Sequence, residues 1–404
     1  MNADRTRLRL SRWEISAVGC VLLVGWFFIL PEIAMGQSTP TDMSPHADMR
    51  DQPFLYHGPV EPSVVKADGV YRIGLFVPGS GPRAEQGGAM LADGATLALA
   101  HWNRAHPHQL AVLVQASDDS VWGSAREVVD LAYRHQVVGM IGGLGAESTH
   151  VAEQIAVKAR LPLIAPATSD PSLTQVGIPW MFRLMPDDET YAAELVKLLL
   201  QRGARPRIGL LGSGLFDDRM YAKEILQAAA AAGLPIVWHR LYDPGLPPDE
   251  DEAAWFQTAA PIDCLVFLGG PETPRPWLEI ARSRTSGPVI YGPRFSWSLV
   301  DRSALAPFTG GMLQAPCDWW CDRDERHAFI QAFQEAYNRL PSMLAGYAYD
   351  AATVLLNACS RSDGARADLL KWMAATDALP GATGCIQFDG TGGTTAMPVM
   401  IEIP

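Results

Sequence analysis

The stretch Tyr71-Arg72-Ile73-Gly74-Leu75-Phe76-Val77-Pro78-Gly79-Ser80-Gly81-Pro82 decides the fold class. Its apolar first half reads as a strand, and the Pro/Gly/Ser cluster that follows ends it. Gly88–Asn103 then carries Ala, Leu and Met at helical spacing. The same strand–loop–helix unit recurs downstream. Strands are predicted at Leu110–Gln115, Val137–Ile141, Leu163–Ile164, Arg207–Leu211, Ile236–Leu241, Asp263–Leu268 and Val289–Tyr291. Helices are predicted at Ser124–His135, His150–Ala159, Thr190–Gln201, Arg219–Ala232, Pro276–Arg284, Asp324–Arg339 and Gly346–Cys359. Such alternation implies an α/β fold with parallel sheets covered on both faces. About eight or nine strands exceed one small domain, so two similar Rossmann-like lobes fit better. In open sheets of this kind, ligands bind beyond the carboxyl ends of strands and near helix N-termini. The loops to watch are Pro78–Gly87, Gly142–Thr149, Ala165–Pro171, Gly212–Asp218, Gly269–Thr273 and Gly292–Trp297.

The chain has 404 residues, 48% of them hydrophobic and 19% charged, which supports a large core over disorder. Its net charge of −12 and the lack of a Lys/Arg-dense stretch past Arg12 argue against nucleic acid as a partner. At the start, Arg5, Arg7, Arg9 and Arg12 precede an apolar run from Ile15 to Leu30. Ala34-Met35-Gly36 then places small residues at −3 and −1 before Gln37. Residues 1–36 therefore read as a cleaved secretory signal and imply a periplasmic protein, with an uncleaved N-terminal anchor as the alternative. Cys20 lies inside the apolar run, where a lipidated cysteine would end it. The proline-rich, polar residues 37–67 read as a flexible linker.

Five cysteines follow the signal: Cys264, Cys317, Cys321, Cys359 and Cys385. In an oxidising compartment, an odd number allows at most two bridges. Cys317 with Cys321 and Cys359 with Cys385 are the candidate disulfides, and Cys264 reads as a buried thiol. No metal site is expected, because Cys317, Cys321 and His327 lack a fourth zinc ligand at close spacing.

The chain resembles the periplasmic binding proteins of the leucine/isoleucine/valine class, which serve ABC importers. The residues that carry the resemblance are Ile73–Pro82 with Ala84, Gly87 and Gly94–Ala98; Val138–Gly143 running to Ser148-Thr149; Leu161–Thr174; and Gly384–Phe388 with Asp389–Gly392. The resemblance implies two lobes joined by a three-crossing hinge. Lobe 1 would hold 68–187 plus 317–380, and lobe 2 would hold 188–316 plus 381–404. It also implies an ABC permease as membrane partner, a small-molecule ligand that is amino-acid-like or a carboxylate or amide, no cofactor, and a monomer.

Within the pocket, the resemblance implies that Gly145, Ala146, Ser148, Ala167, Thr168 and Ser169 grip a ligand carboxylate. Independently, the N–H groups and dipole of a helix opening at Gly145–Thr149 favour an anion. Ser148, Thr149 and Ser169 also suit plain helix caps. Gln86 stands where the family commonly has an aromatic ring. Phe216 and Asp217 match a ligand-covering position, and Glu272 lies on another pocket loop. Arg294 stands where amino-acid binders of the class place an acid for the ligand ammonium. Three arrangements fit that reversal. The ligand lacks a free ammonium and Arg294 pairs with a second carboxylate, Glu272 or Asp217 replaces the acid, or Arg294 points away from the cleft.

An enzyme is not expected. Ser148 and His150 face different ways on a helix, and Gly212-Ser213-Gly214 lacks the nucleophile-elbow spacing. A periplasmic sensor feeding a receptor or regulator is the alternative function, and a hydrolase the remote one.

Overall fold

The computed structural model describes residues 69–403, apart from 119–120, 202–204, 271–274, 286, 298 and 363. The expected signal (1–36) and linker (37–67) and the expected ligand contact Glu272 lie outside the described residues, as does the Gln86 side chain.

Strands β1 (Tyr71–Val77), β2 (Ala111–Ser117), β3 (Gly139–Gly142), β4 (Leu163–Ala165) and β5 (Met181–Arg183) form a five-stranded sheet in the order β2-β1-β3-β4-β5. Every pairing in it is parallel. Strands β6 (Ile208–Ser213), β7 (Ile236–Tyr242), β8 (Cys264–Leu268), β9 (Val289–Tyr291) and β10 (Met312–Ala315) repeat that order in a second sheet, as β7-β6-β8-β9-β10. A last strand, β13 (Val399–Glu402), adds to β10 antiparallel. A small hairpin, β11 (Leu379–Pro380) with β12 (Cys385–Ile386), precedes it.

Helices connect the strands: α1 (Ala89–Ala105), α2 (Val121–Val129), α3 (Ala146–Ala159), α4 (Asp188–Gln201), α5 (Phe216–Ala232), α6 (Glu250–Thr258) and α7 (Arg275–Arg282). Three more, α8 (Asp324–Tyr337), α9 (Met343–Ser360) and α10 (Arg366–Ala374), follow β10. The chain leaves the first sheet after β5 and builds the second. It returns with α9 packed along α1, then crosses again to place β13. The α1/α9 contact is close because Gly94 has no side chain; a Cβ there would sit 2.0 Å from the Ala345 carbonyl oxygen. The central strands of both sheets are enclosed, whereas the edge strands β2 and β7 carry exposed residues. β1, β6 and β8 have almost entirely buried residues, which explains why they read as continuous apolar runs.

Neither expected disulfide forms. Cys317, Cys321 and Cys385 are free thiols. Cys317 is buried beside Tyr347, and burial pushes its thiol up to about 12, while Cys321 Sγ lies 3.0 Å from Arg323 Nε. Asp350 accepts hydrogen bonds from the amides of Ala382 and Thr383, both at 2.8 Å, and so fixes the hairpin that carries Cys385. Cys359 lies nine residues beyond Asp350 on α9, about 13 Å by helical rise, and is buried where Cys385 is exposed.

Candidate functional site

In both sheets the strand order reverses beside the first strand, between β1 and β3 and between β6 and β8. Crevices open there at the carboxyl ends of the strands. On the first sheet, Gly145 begins α3 with φ +91°, a conformation that favours glycine. Its amide donates to the Ala167 carbonyl at 2.8 Å, which ties the β3 and β4 loops together. The next amide, of Ala146, is a first-turn donor without an intrahelical partner. It donates to Asp217 Oδ1 at 2.8 Å, across to the start of α5. A Cβ on Gly145 would sit 2.7 Å from Asp217 Oδ2, so this carboxylate lies flat against the loop.

On the second sheet, Arg294 follows β9 and forms a two-pronged pair with Asp218. Nε meets Oδ1 at 3.0 Å and a terminal nitrogen meets Oδ2 at 3.0 Å. Asp218 is buried and also accepts from the Ser213 hydroxyl. Planar two-point geometry of this kind is the strong form of the Arg–carboxylate contact.

Between these loops lies a narrow cleft with about 10 Å³ of free volume, room for about one water with the loops closed as they are here. Asp217, Asp218 and Arg294 line one side, with Tyr221 and Trp297 as aromatic wall. Ser169 and Asp188 line the other. Asp188 is 1% exposed, and its Oδ1 has no hydrogen-bond partner. Burial raises its carboxyl well above the usual range, opposed by the Ser169 hydroxyl. Desolvation likewise raises Asp217, opposed by the Ala146 amide and Arg294. The indole Nε1 of Trp297 is also buried without a partner.

At the rim, His150 Nε2 lies 3.0 Å from Asp170 and Nδ1 lies 3.3 Å from Glu153. The hydrogen bonds to Asp170 and then Glu153 raise its pKa to about 9. Ser172 Oγ sits 3.4 Å from Nε2. The same hydroxyl donates to Asp170 Oδ1 at 2.7 Å.

Of the residues expected from sequence, Ser169, Asp217 and Arg294 line the cavity. Gly145, Ala146, Ala167 and Thr168 build the loops behind it and do not form its wall. Ser148 is buried in the first turn of α3. Phe216 instead turns its ring edge-on to His150, 6.4 Å between centroids. Of the three arrangements weighed for Arg294, the structure places it at the cavity wall and paired with Asp218. Sequence reading missed Asp188, Tyr221 and Trp297 as wall residues. Only Trp297 had a signal, as the end of the loop after β9.

The chain matches the family described as "Periplasmic binding protein" over residues 70–401. It belongs to the periplasmic binding protein family. The branched-chain amino acid transporter substrate-binding protein LivJ from Streptococcus pneumoniae, in complex with isoleucine, superposes with a TM-score of 0.70 at 19% identity, covering 82% of this chain and 96% of that one. The leucine-binding protein LivK from Thermotoga maritima gives 0.69 at 17% identity, over 82% and 94%. A solute-binding protein from R. palustris, in complex with benzoate, gives 0.69 at 16% identity, over 83% and 93%. Among curated proteins, Glutamate receptor 3.7 of Arabidopsis thaliana is 27% identical over 123 residues, 28% of this chain and 13% of the receptor. The chain thus spans about an eighth of that relative's length. This periplasmic binding protein has the type I fold, with two parallel-dominated sheets of matching strand order. Membership in the family implies an extracytoplasmic location. No described helix is long and apolar enough to cross a membrane.

Proposed function

We propose that this chain is the solute-binding component of an ABC importer, closing two lobes over a small organic ligand of amino-acid size. The lobes are residues 68–187 plus 317–380 and 188–316 plus 381–404, and residues 1–36 direct export. The observation that carries this reading is the cavity enclosed by the loops after β4, β6, β8 and β9, drawn from both sheets. Its walls converge from separate chain segments, as expected of a hinge-closing binder. Closure removes the ligand from water, and the joined lobe faces are then presented to a membrane permease. The neighbours named above bind isoleucine and benzoate, which supports a solute of similar size. Ligand release, not chemistry, completes the cycle.

Deleting the gene is expected to abolish cellular uptake of whichever solute the purified chain retains, and supplying the chain restores it. Unchanged uptake in the deletion strain, with the solute still bound by the purified protein, overturns transport in favour of sensing.

A further inference from the structure

Resting on the solute-binding reading, three features of this cavity bear on what it selects. First, the helix start that would receive a ligand carboxylate is already filled from within, because the Ala146 amide donates to Asp217 Oδ1 at 2.8 Å. There is no space beside it, since even a Cβ on Gly145 would come within 2.7 Å of Asp217 Oδ2. Second, Arg294 lines the cavity but is held by both oxygens of Asp218 at 3.0 Å. A ligand anion would have to displace one carboxylate or the other and leave it buried.

Third, the wall offers acceptors in excess. It holds Asp188, Asp217 and Asp218 against Arg294. The nearby cations are engaged elsewhere. Arg183 binds Asp187 at 3.0 Å and the Met185 carbonyl, and His150 binds Asp170 at 3.0 Å. That leaves Asp188, 1% exposed, with Oδ1 facing no donor. A buried carboxylate is costly unless it takes up a proton or a cation pairs with it. Tyr221 and Trp297 add aromatic surface to the same wall, which favours a cation over water. The unpartnered indole Nε1 of Trp297 supplies one donor for a neutral acceptor.

We infer that the cleft selects a small organic cation with an amine or amidinium group, a neutral acceptor such as an amide or hydroxyl, and no carboxylate. Asp188 receives the cation, Trp297 the acceptor, and Asp217 stands in the carboxylate's place as a built-in occupant.

The test uses matched probes that share one side chain: an amino acid, its amide and the corresponding deaminated acid. Leucine, leucinamide and 4-methylpentanoate form one set, and the alanine and phenylalanine equivalents form two more. Each is titrated calorimetrically into the full chain. The amide of at least one set is expected to bind at least tenfold more tightly than its amino acid, and the acid not at all. Asp188→Asn should weaken the amide at least tenfold without lowering the unliganded melting temperature. Trp297→Phe, which keeps the ring and removes the N–H, should weaken it several-fold and serves if Asp188→Asn does not fold. Asp217→Asn should narrow the gap between amide and amino acid. If an amino acid or acid binds as tightly as its amide, or both Asp188→Asn and Trp297→Phe leave affinity unchanged, the inference is overturned while solute binding stands. If no probe of any set binds while the chain retains another solute found by screening, the inference is overturned and solute binding stands; if screening finds no solute at all, the solute-binding reading falls as well.

Discussion

The amide of Ala146, at the start of α3 beside the first sheet, donates to Oδ1 of Asp217 at the start of α5 beside the second, at 2.8 Å. These residues are 71 positions apart in sequence. Their contact joins the two helix starts that flank the cleft. It is a charge-assisted bond between a helix N-terminus and a carboxylate, a favourable pairing.

Asp217→Ala removes that link. Such bonds contribute about 1.5–3 kcal/mol, so the equilibrium between closed and open forms should shift at least tenfold toward open. Small-angle scattering of the unliganded chain should show a larger radius of gyration. An unchanged radius contradicts a closing role for the contact.

The Arg294–Asp218 pair carries a different cost. Asp218 is buried, and removing its partner strands a charge, typically at about 3–5 kcal/mol. Arg294→Met should lower the urea midpoint accordingly, and Arg294→Met combined with Asp218→Leu should recover most of the loss. Equal stability of the single variant and wild type contradicts the pairing.

Much of the fold was legible in the sequence. Tyr71–Val77 and Val289–Tyr291 were read to the residue, because buried parallel strands are unbroken apolar runs. β5, β10 and β13 were missed. Each is about as short as Val289–Tyr291, but Arg183, Gln314 or Glu402 breaks the apolar run by which that strand is read. In the site, single residues were legible and pairings were not. Asp217 and Arg294 drew notice for their type and loop position, but Asp218 lies 76 positions from Arg294, and no local pattern carries such a contact. The cysteines misled in the opposite sense, since their spacing invited bridges that the folded chain does not make.

His150 makes stability depend on pH. Its folded pKa, about 9, lies above the ordinary value of 6.5. The native state therefore holds the proton more tightly than the unfolded chain. This contribution, on the order of 1–3 kcal/mol after allowing for partial exposure, is complete below pH 6.5 and lost as pH rises through about 9. The melting temperature of His150→Asn should fall less between pH 7 and pH 10 than that of wild type, a range chosen to span the pKa shift. Parallel curves contradict the Asp170–His150–Glu153 arrangement.

The thiols should be distinguishable by labelling. Cys385 is exposed and Cys317 is buried with its pKa pushed up to about 12. The thiolate is the reactive form, so a maleimide should modify Cys385 first and reach Cys317 only on unfolding. Reductant should leave the melting temperature unchanged. A drop of several degrees on reduction would point to a bridge after all.

In its proposed role this periplasmic binding protein holds a small solute and releases it unchanged. The most direct measurement is to saturate the purified full chain with a solute found by screening, remove the excess by gel filtration, denature the complex, and identify what is released by mass spectrometry. The expected result is close to one solute per chain, released chemically unchanged even after prolonged incubation. A converted product, or no solute retained from amines, amino acids, amides or acids, would contradict the account.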